Sequence, residues 1–206
     1  MAKGQHGRNK GRGYEIAVAK AVGLWWDGDG EAFWRNVGSG NRTKKGFVAA
    51  YSGDIIPVQS KAAKGWRLHV ECKKQEGWAF EDVPAQRWGS ASIWSFIAQT
   101  VYDSEISHRT GICIMSRNRN DWYVFLPLHQ WWDHPQWSEF VWSHNLLMLH
   151  ATKELMQRYQ KKYHAKRIIQ LDGYVVRWNE FQKFFSRRTL VKWLKVKSRA
   201  MKKLPT

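Results

Sequence analysis

The stretch Arg67-Leu68-His69-Val70-Glu71-Cys72-Lys73-Lys74-Gln75 constrains this chain more than any other. Side chains alternate across a strand with a period of two. Leu68, Val70 and Cys72 therefore share one face, and His69, Glu71 and Lys73 share the other. The first face is apolar and belongs in a core. The second sets a carboxylate beside an ammonium. Upstream, Ser52-Gly53-Asp54-Ile55-Ile56-Pro57 puts another carboxylate at the start of a second short apolar run. An acid, a strand and then acid-x-Lys is a layout that phosphodiester chemistry can use. The carboxylates hold a hard divalent cation through oxygen, and the lysine lies near the attacking water or the phosphate.

The chain is strongly basic, with 34 Lys or Arg against 17 Asp or Glu and a formal net charge of +17. That balance favours a polyanionic partner, nucleic acid first. An anionic membrane surface ranks second, because the basic residues are spread over many segments rather than gathered on one amphipathic helix. No uninterrupted apolar run of about 18 residues is present, so no spanning helix is expected. Residues 2–13 are basic and Gly-rich without an apolar stretch, which does not fit a secretory signal. The expected location is the cytoplasm. Cys72 and Cys113 lie in apolar strand-like runs and are expected as reduced core residues; no C-x-x-C pair or zinc spacing accompanies them. Fourteen tryptophans in 206 residues are read mainly as core, with a fraction able to stack on unpaired bases.

Along the chain, residues 1–12 read as a flexible basic arm. From Gly13 to Trp26 the spacing is helical, with Tyr14, Ala17, Val18, Ala21, Val22 and Trp25 in one stripe. Phe33–Val37 reads as a first strand, followed by the Gly/Ser-rich basic loop Gly38-Ser39-Gly40-Asn41-Arg42-Thr43-Lys44-Lys45-Gly46. Asp54–Val58 and Trp66–Lys73 read as neighbouring strands, the former kept short or bent by Pro57. A helical pattern lies within Pro84–His108, and Gly111–Ser116 and Trp122–Leu126 are strong strands. Pro127–Ser143 is a Trp-rich connector. Phe140–Tyr163 reads as one long helix, Gly173–Trp178 as a strand and Asn179–Phe185 as a short helix. Arg187–Lys203, with no acid, reads as a basic helix or tail. Helix, three strands, helix and two strands suit an α/β fold, a mixed sheet flanked by helices.

On Glu15 in Gly13-Tyr14-Glu15, Ser39 in Gly38-Ser39-Gly40, Asp54 in Gly53-Asp54-Ile55, and Glu71 with Lys73 in Val70-Glu71-Cys72-Lys73, the sequence resembles the PD-(D/E)xK nuclease superfamily. Within it, the likeness is greatest to the archaeal-type and phage Holliday-junction resolvases. It covers about residues 12–126. The Trp-rich region after Pro127 has no counterpart in the small resolvases, and the loop from Asn41 to Tyr51 is longer than theirs. The resemblance implies a restriction-endonuclease-like core over residues 13–126, with 127–206 as a helical, Trp-rich, basic extension packed on it.

It also implies Mg²⁺, with Mn²⁺ as substitute, held by Asp54, Glu71 and the main-chain carbonyl of Cys72, with Glu15 ligating directly or through water. Glu15, Asp54, Glu71 and Lys73 would form the catalytic set. Ser39, Arg42, Lys44, Lys45 and Lys74 would bind DNA. Gln75 is weighed as orienting the site against being a surface glutamine, and His69 is read as a strand-surface histidine. Symmetric cutting of a four-way junction implies a homodimer, through the helix from Pro84 to Val101 or the aromatic connector. The leading expectation is a metal-dependent endodeoxyribonuclease cutting branched DNA. The alternatives are a related nuclease acting on duplex DNA or DNA ends, and a non-catalytic basic nucleic-acid-binding protein.

Overall fold

The structure is a computed structural model, and it describes residues 3–36, 52–76, 78, 80, 83–84, 92–117, 121–143, 146–165 and 170–201. The elements in chain order are α1 (Lys3–Asp27), β1 (Phe33–Arg35), β2 (Ile55–Pro57), α2 (Ser60–Ala63), β3 (Leu68–Lys74), α3 (Ile93–Ile106), β4 (Thr110–Ser116), β5 (Trp122–Pro127), α4 (Leu128–Trp131), α5 (Trp137–Ser143), β6 (Leu147–Leu149), α6 (Lys153–Tyr163), β7 (Gly173–Arg177), α7 (Trp178–Phe184) and α8 (Arg187–Met201). The expected α/β class holds.

A five-stranded sheet runs in the order β3-β4-β5-β7-β6. β3 and β4 are parallel, and the other pairs are antiparallel. The parallel pair needs a crossover, and α3 supplies it. β1 and β2 form a separate antiparallel ribbon. Its last link to the main sheet is at Asp54, whose N–H donates to the Val70 carbonyl at 2.7 Å. β2 is three residues long and ends at Pro57, as a residue without an N–H dictates.

The alternation along β3 sorts the molecule into two cores. Leu68, Val70 and Cys72 join Ile112, Ile114, Val124 and Val176 under α1, α7 and α8. Cys113, Met115, Phe125 and Val175 face the opposite way, under α3 and α6. Both cysteines are buried and free of disulfides. α1 buries Tyr14, Val18, Val22 and Trp26, four residues apart, while Ala17 is exposed. The buried stripe is thus turned slightly from the expected one, and Trp26 rather than Trp25 takes the deepest place. The helix begins at Lys3 rather than near Gly13, taking in residues 3–12 that were read as an arm. Most tryptophans are core, as expected: Trp26, Trp66, Trp78, Trp94 and Trp131 are fully buried, and Trp137, Trp178 and Trp193 nearly so.

Phe140–Tyr163 is not one helix. α5 stops at Ser143, Leu147–Leu149 forms β6, and α6 starts after Thr152, whose hydroxyl accepts from the Leu155 N–H. Tertiary pairing overrides the helical pattern: β7 offers a free edge, and Leu147-Met148-Leu149 takes it. The Asp172 carboxylate fixes the exit by accepting from the Ala151 N–H at 2.8 Å. The expected division at residue 127 falls between β5 and α4, and β7 comes from beyond it to pair with β5. The link between β2 and β3 contains the single helical turn α2. No described helix is long and apolar enough to cross a membrane.

His134 is packed between Trp131, Phe185 and Trp193, and its Nδ1 accepts from the Gln136 N–H at 3.2 Å. Burial, aided by the Lys197 charge and opposed by Asp133, pushes its pKa down to about 4 from an ordinary 6.5. The unfolded chain therefore binds this proton more tightly. The stability that depends on a neutral His134 is complete above about pH 6.5 and is lost as pH falls toward 4. His134→Asn keeps an acceptor for Gln136 but cannot titrate there. Urea midpoints at pH 7 and pH 4.5 should fall less in this variant than in the parent; an equal fall overturns the assignment.

Candidate active site

The site is built on the outer edge of β3. Val70 and Cys72 turn their backbone groups away from β4, toward Asp54. The Asp54 N–H donates to the Val70 carbonyl, and the Asp54 Oδ2 accepts from the Cys72 N–H at 2.8 Å. The carboxylate thus occupies the place of the next backbone acceptor in the ladder. It lies against the peptide that joins Glu71 to Cys72. A strand residue's N–H and C=O leave on the same side, so the Cys72 carbonyl opens on this edge too.

Gly53 makes the approach possible. Its φ is +90°, and a Cβ there would lie 2.9 Å from both the N and the O of Val70. Asn36 holds the other side: its N–H donates to the Asp54 carbonyl at 2.6 Å and its Nδ2 to the Gly53 carbonyl at 3.0 Å. Asp54 is therefore pinned through its backbone on two sides and through its carboxylate on a third.

Glu71 and Lys73 project from the α3 face of β3. The Lys73 ammonium donates to Glu71 Oε1 at 2.5 Å and to Gln99 Oε1 at 2.9 Å. Burial acts to raise the Glu71 pKa, but Lys73 first and then His69 outweigh it and hold the carboxyl well below its usual range. Burial acts to lower the Lys73 pKa, and Glu71 and Asp54 outweigh it, so the amine stays firmly protonated. Both partners are ionised at neutral pH.

Glu15 lies half-buried on α1, 3.7 Å from the Arg35 guanidinium on β1. Burial raises its pKa; Arg35 opposes this, and the Glu71 charge adds to it. Glu15 therefore feels Glu71 electrostatically, while its direct ionic partner is Arg35. Lys74 is exposed, with its ammonium 5.7 Å from the Tyr14 ring centroid. Ser39, Arg42, Lys44 and Lys45 lie outside the described residues.

The sequence reading missed three features here. His69 is not a surface residue: it is 2% exposed, with Nε2 3.7 Å from Glu71 Oε2. α3 supplies Gln99 and Asp103, four apart and so on one helix face. The end of α6 also lies near: burial and then the Lys73 charge lower the Lys162 pKa, and burial followed by the Asp103 charge raises that of Tyr163. The 99/103 spacing on a helix directly after the acid-x-Lys strand was the available signal.

The donor chemistry fits a hard divalent cation. The Asp54 carboxylate lies on the Cys72 N–H at the strand edge. The ionised Glu71 carboxylate, with the Lys73 ammonium fixed beside it, lies one residue before on the α3 face; oxygen donors of this kind suit a hard cation. Among the described residues, His69, Glu71 and Asp103 also bring one ligand atom each within 4.8 Å of one another.

The family model described as "Phage putative PDDEXK endonuclease" matches residues 6–192. The chain belongs to this family. It is a nuclease of the PD-(D/E)xK superfamily, and the match runs from α1 into the first turns of α8. No curated protein and no solved structure matches the chain.

Gly53→Ala places a methyl group against the Val70 backbone at a φ that L side chains rarely adopt. It should lower the free energy of unfolding by about 2 kcal/mol or more. Urea denaturation measures this; an unchanged midpoint would show that the close approach to Val70 is not required.

Proposed function

We propose that the chain is a divalent-metal endodeoxyribonuclease that cuts branched DNA, with a Holliday junction as its preferred substrate. The observation that carries the nuclease chemistry is the Asp54 carboxylate seated on the Cys72 N–H, beside the Glu71–Lys73 pair. Asp54, Glu71 and the Cys72 carbonyl would hold Mg²⁺, with Mn²⁺ as substitute and Glu15 contributing directly or through water. Such a cation would supply Lewis acidity for activating water and would offset charge on the phosphate.

Lys73 acts as a charge rather than as a base. Its raised pKa keeps it an ammonium, and two of its three N–H donors are spent on Glu71 and Gln99. The third would be left for the attacked phosphate or its water. Gln99 fixes the amine against swinging away.

Net charge of +17 supports a phosphate-rich partner. Lys64, Arg188, Lys192 and Lys195 line a basic groove along α8, an additional surface for the DNA backbone. Ser39, Arg42, Lys44, Lys45 and Lys74 are the DNA contacts nearest the scissile bond in this reading. The protein acts as a homodimer. α3 is an unsuitable dimer surface because most of it is buried within the chain, whereas Trp132 and Trp142 in the aromatic connector are exposed.

A related nuclease acting on duplex DNA or DNA ends is the second reading. It is favoured by the extent of the family match, which passes well beyond the residues 12–126 that carry the resolvase likeness. A panel of four-way junction, flap and linear duplex separates the two. The junction should be cut fastest, with activity falling steeply as salt rises; equal rates on all three remove the junction preference.

Asp54→Asn, Glu71→Gln and Lys73→Ala should each lower metal-dependent cleavage about a hundredfold or more with circular dichroism unchanged. EDTA should abolish cutting and Mg²⁺ restore it. Parent-level cutting by Asp54→Asn, or no metal-dependent cutting by the parent, would leave a non-catalytic DNA-binding protein as the better account.

A further inference from the structure

We propose that His69, Glu71 and Asp103 form a second cation site, on the α3 face of β3, that takes a transition-metal ion through a histidine nitrogen. It goes beyond the nuclease reading and shares only Glu71 with it.

Three observations carry this. His69 is 2% exposed, and among the described residues neither of its ring nitrogens has a hydrogen-bond partner. Buried imidazoles normally satisfy both nitrogens, and an orphaned one calls for an ion or a water. Next, Nε2 stands 3.7 Å from Glu71 Oε2. That is too long for a hydrogen bond. It suits two ligands of one ion, since donors about 2.1 Å from a shared metal lie roughly 3 to 4 Å apart. Third, Asp103 brings a carboxylate oxygen from α3 to within 4.8 Å of both. The two oxygens of Glu71 are divided: Oε1 accepts from Lys73, and Oε2 faces His69.

The donor set decides the class of ion. Mg²⁺ demands oxygen ligands and retains its waters. One imidazole with two carboxylates suits Mn²⁺, Co²⁺ or Zn²⁺. Three protein ligands leave a position for a water or a phosphate oxygen. The site therefore separates the response to Mn²⁺ from the response to Mg²⁺.

The test uses the full chain loaded with Mn²⁺ and read by electron spin-echo modulation, which detects nitrogen directly bound to the ion. The parent should show nitrogen coupling. His69→Gln should remove it and weaken Mn²⁺ binding at this site tenfold or more. Asp103→Asn should weaken the same binding, whereas Asp54→Asn should leave the nitrogen signal in place. A parent without nitrogen coupling at saturating Mn²⁺ overturns the proposal whatever the variants do. So does coupling that persists in folded His69→Gln; His69 then only neighbours Glu71. A parent that shows the coupling but cuts no DNA refutes the nuclease reading and leaves this site standing.

Discussion

The unpaired edge of β3 is the constraint on which the rest depends. An edge strand exposes backbone donors and acceptors that must be satisfied or hydrated. Here one more backbone bond and one carboxylate complete the ladder, both from Asp54. The acid is thereby held by the same hydrogen bonding that holds a sheet together. Its position is set by rigid backbone rather than by a mobile side chain. Gly53 permits the approach and Asn36 closes it from behind.

The second half of the site obeys a different logic. Glu71 is buried and would resist ionisation alone. Lys73 beside it makes the charge tolerable, and Gln99 steadies the lysine. Replacing such a pair by apolar residues commonly costs nothing or stabilises a fold. The pair is therefore better understood as a requirement of the chemistry than as a source of stability. Asp54 reaches this half through the Cys72 N–H, on the peptide that joins Cys72 to Glu71.

Much of this was legible from the residues. The period-two pattern of 68–73 fixed which side chains face the core, and β3 reproduces it. Asp54 at the head of a short, proline-ended strand was readable, as were β4, β5 and β7. What escaped was what lies across space. Nothing local marks His69 as buried, because its burial comes from α3 packing over β3. Gln99 and Asp103 read as ordinary polar positions of a helix until the crossover lays that helix on the strand. The long helix expected over 140–163 failed for the same reason: β7 gives Leu147–Leu149 an edge to pair with.

The sheet order has a further consequence for how the protein comes into being. β7 lies between β5 and β6, although it is the last strand to be made. A nascent chain that has delivered every residue of the Asp54–Lys73 constellation still presents β5 with one bare side. It stays that way until Gly173–Arg177 clears the ribosome. Loop-closure cost makes such late, distant pairing slow. The waiting β5 margin is the place where a stalled or truncated product would stick to its neighbours.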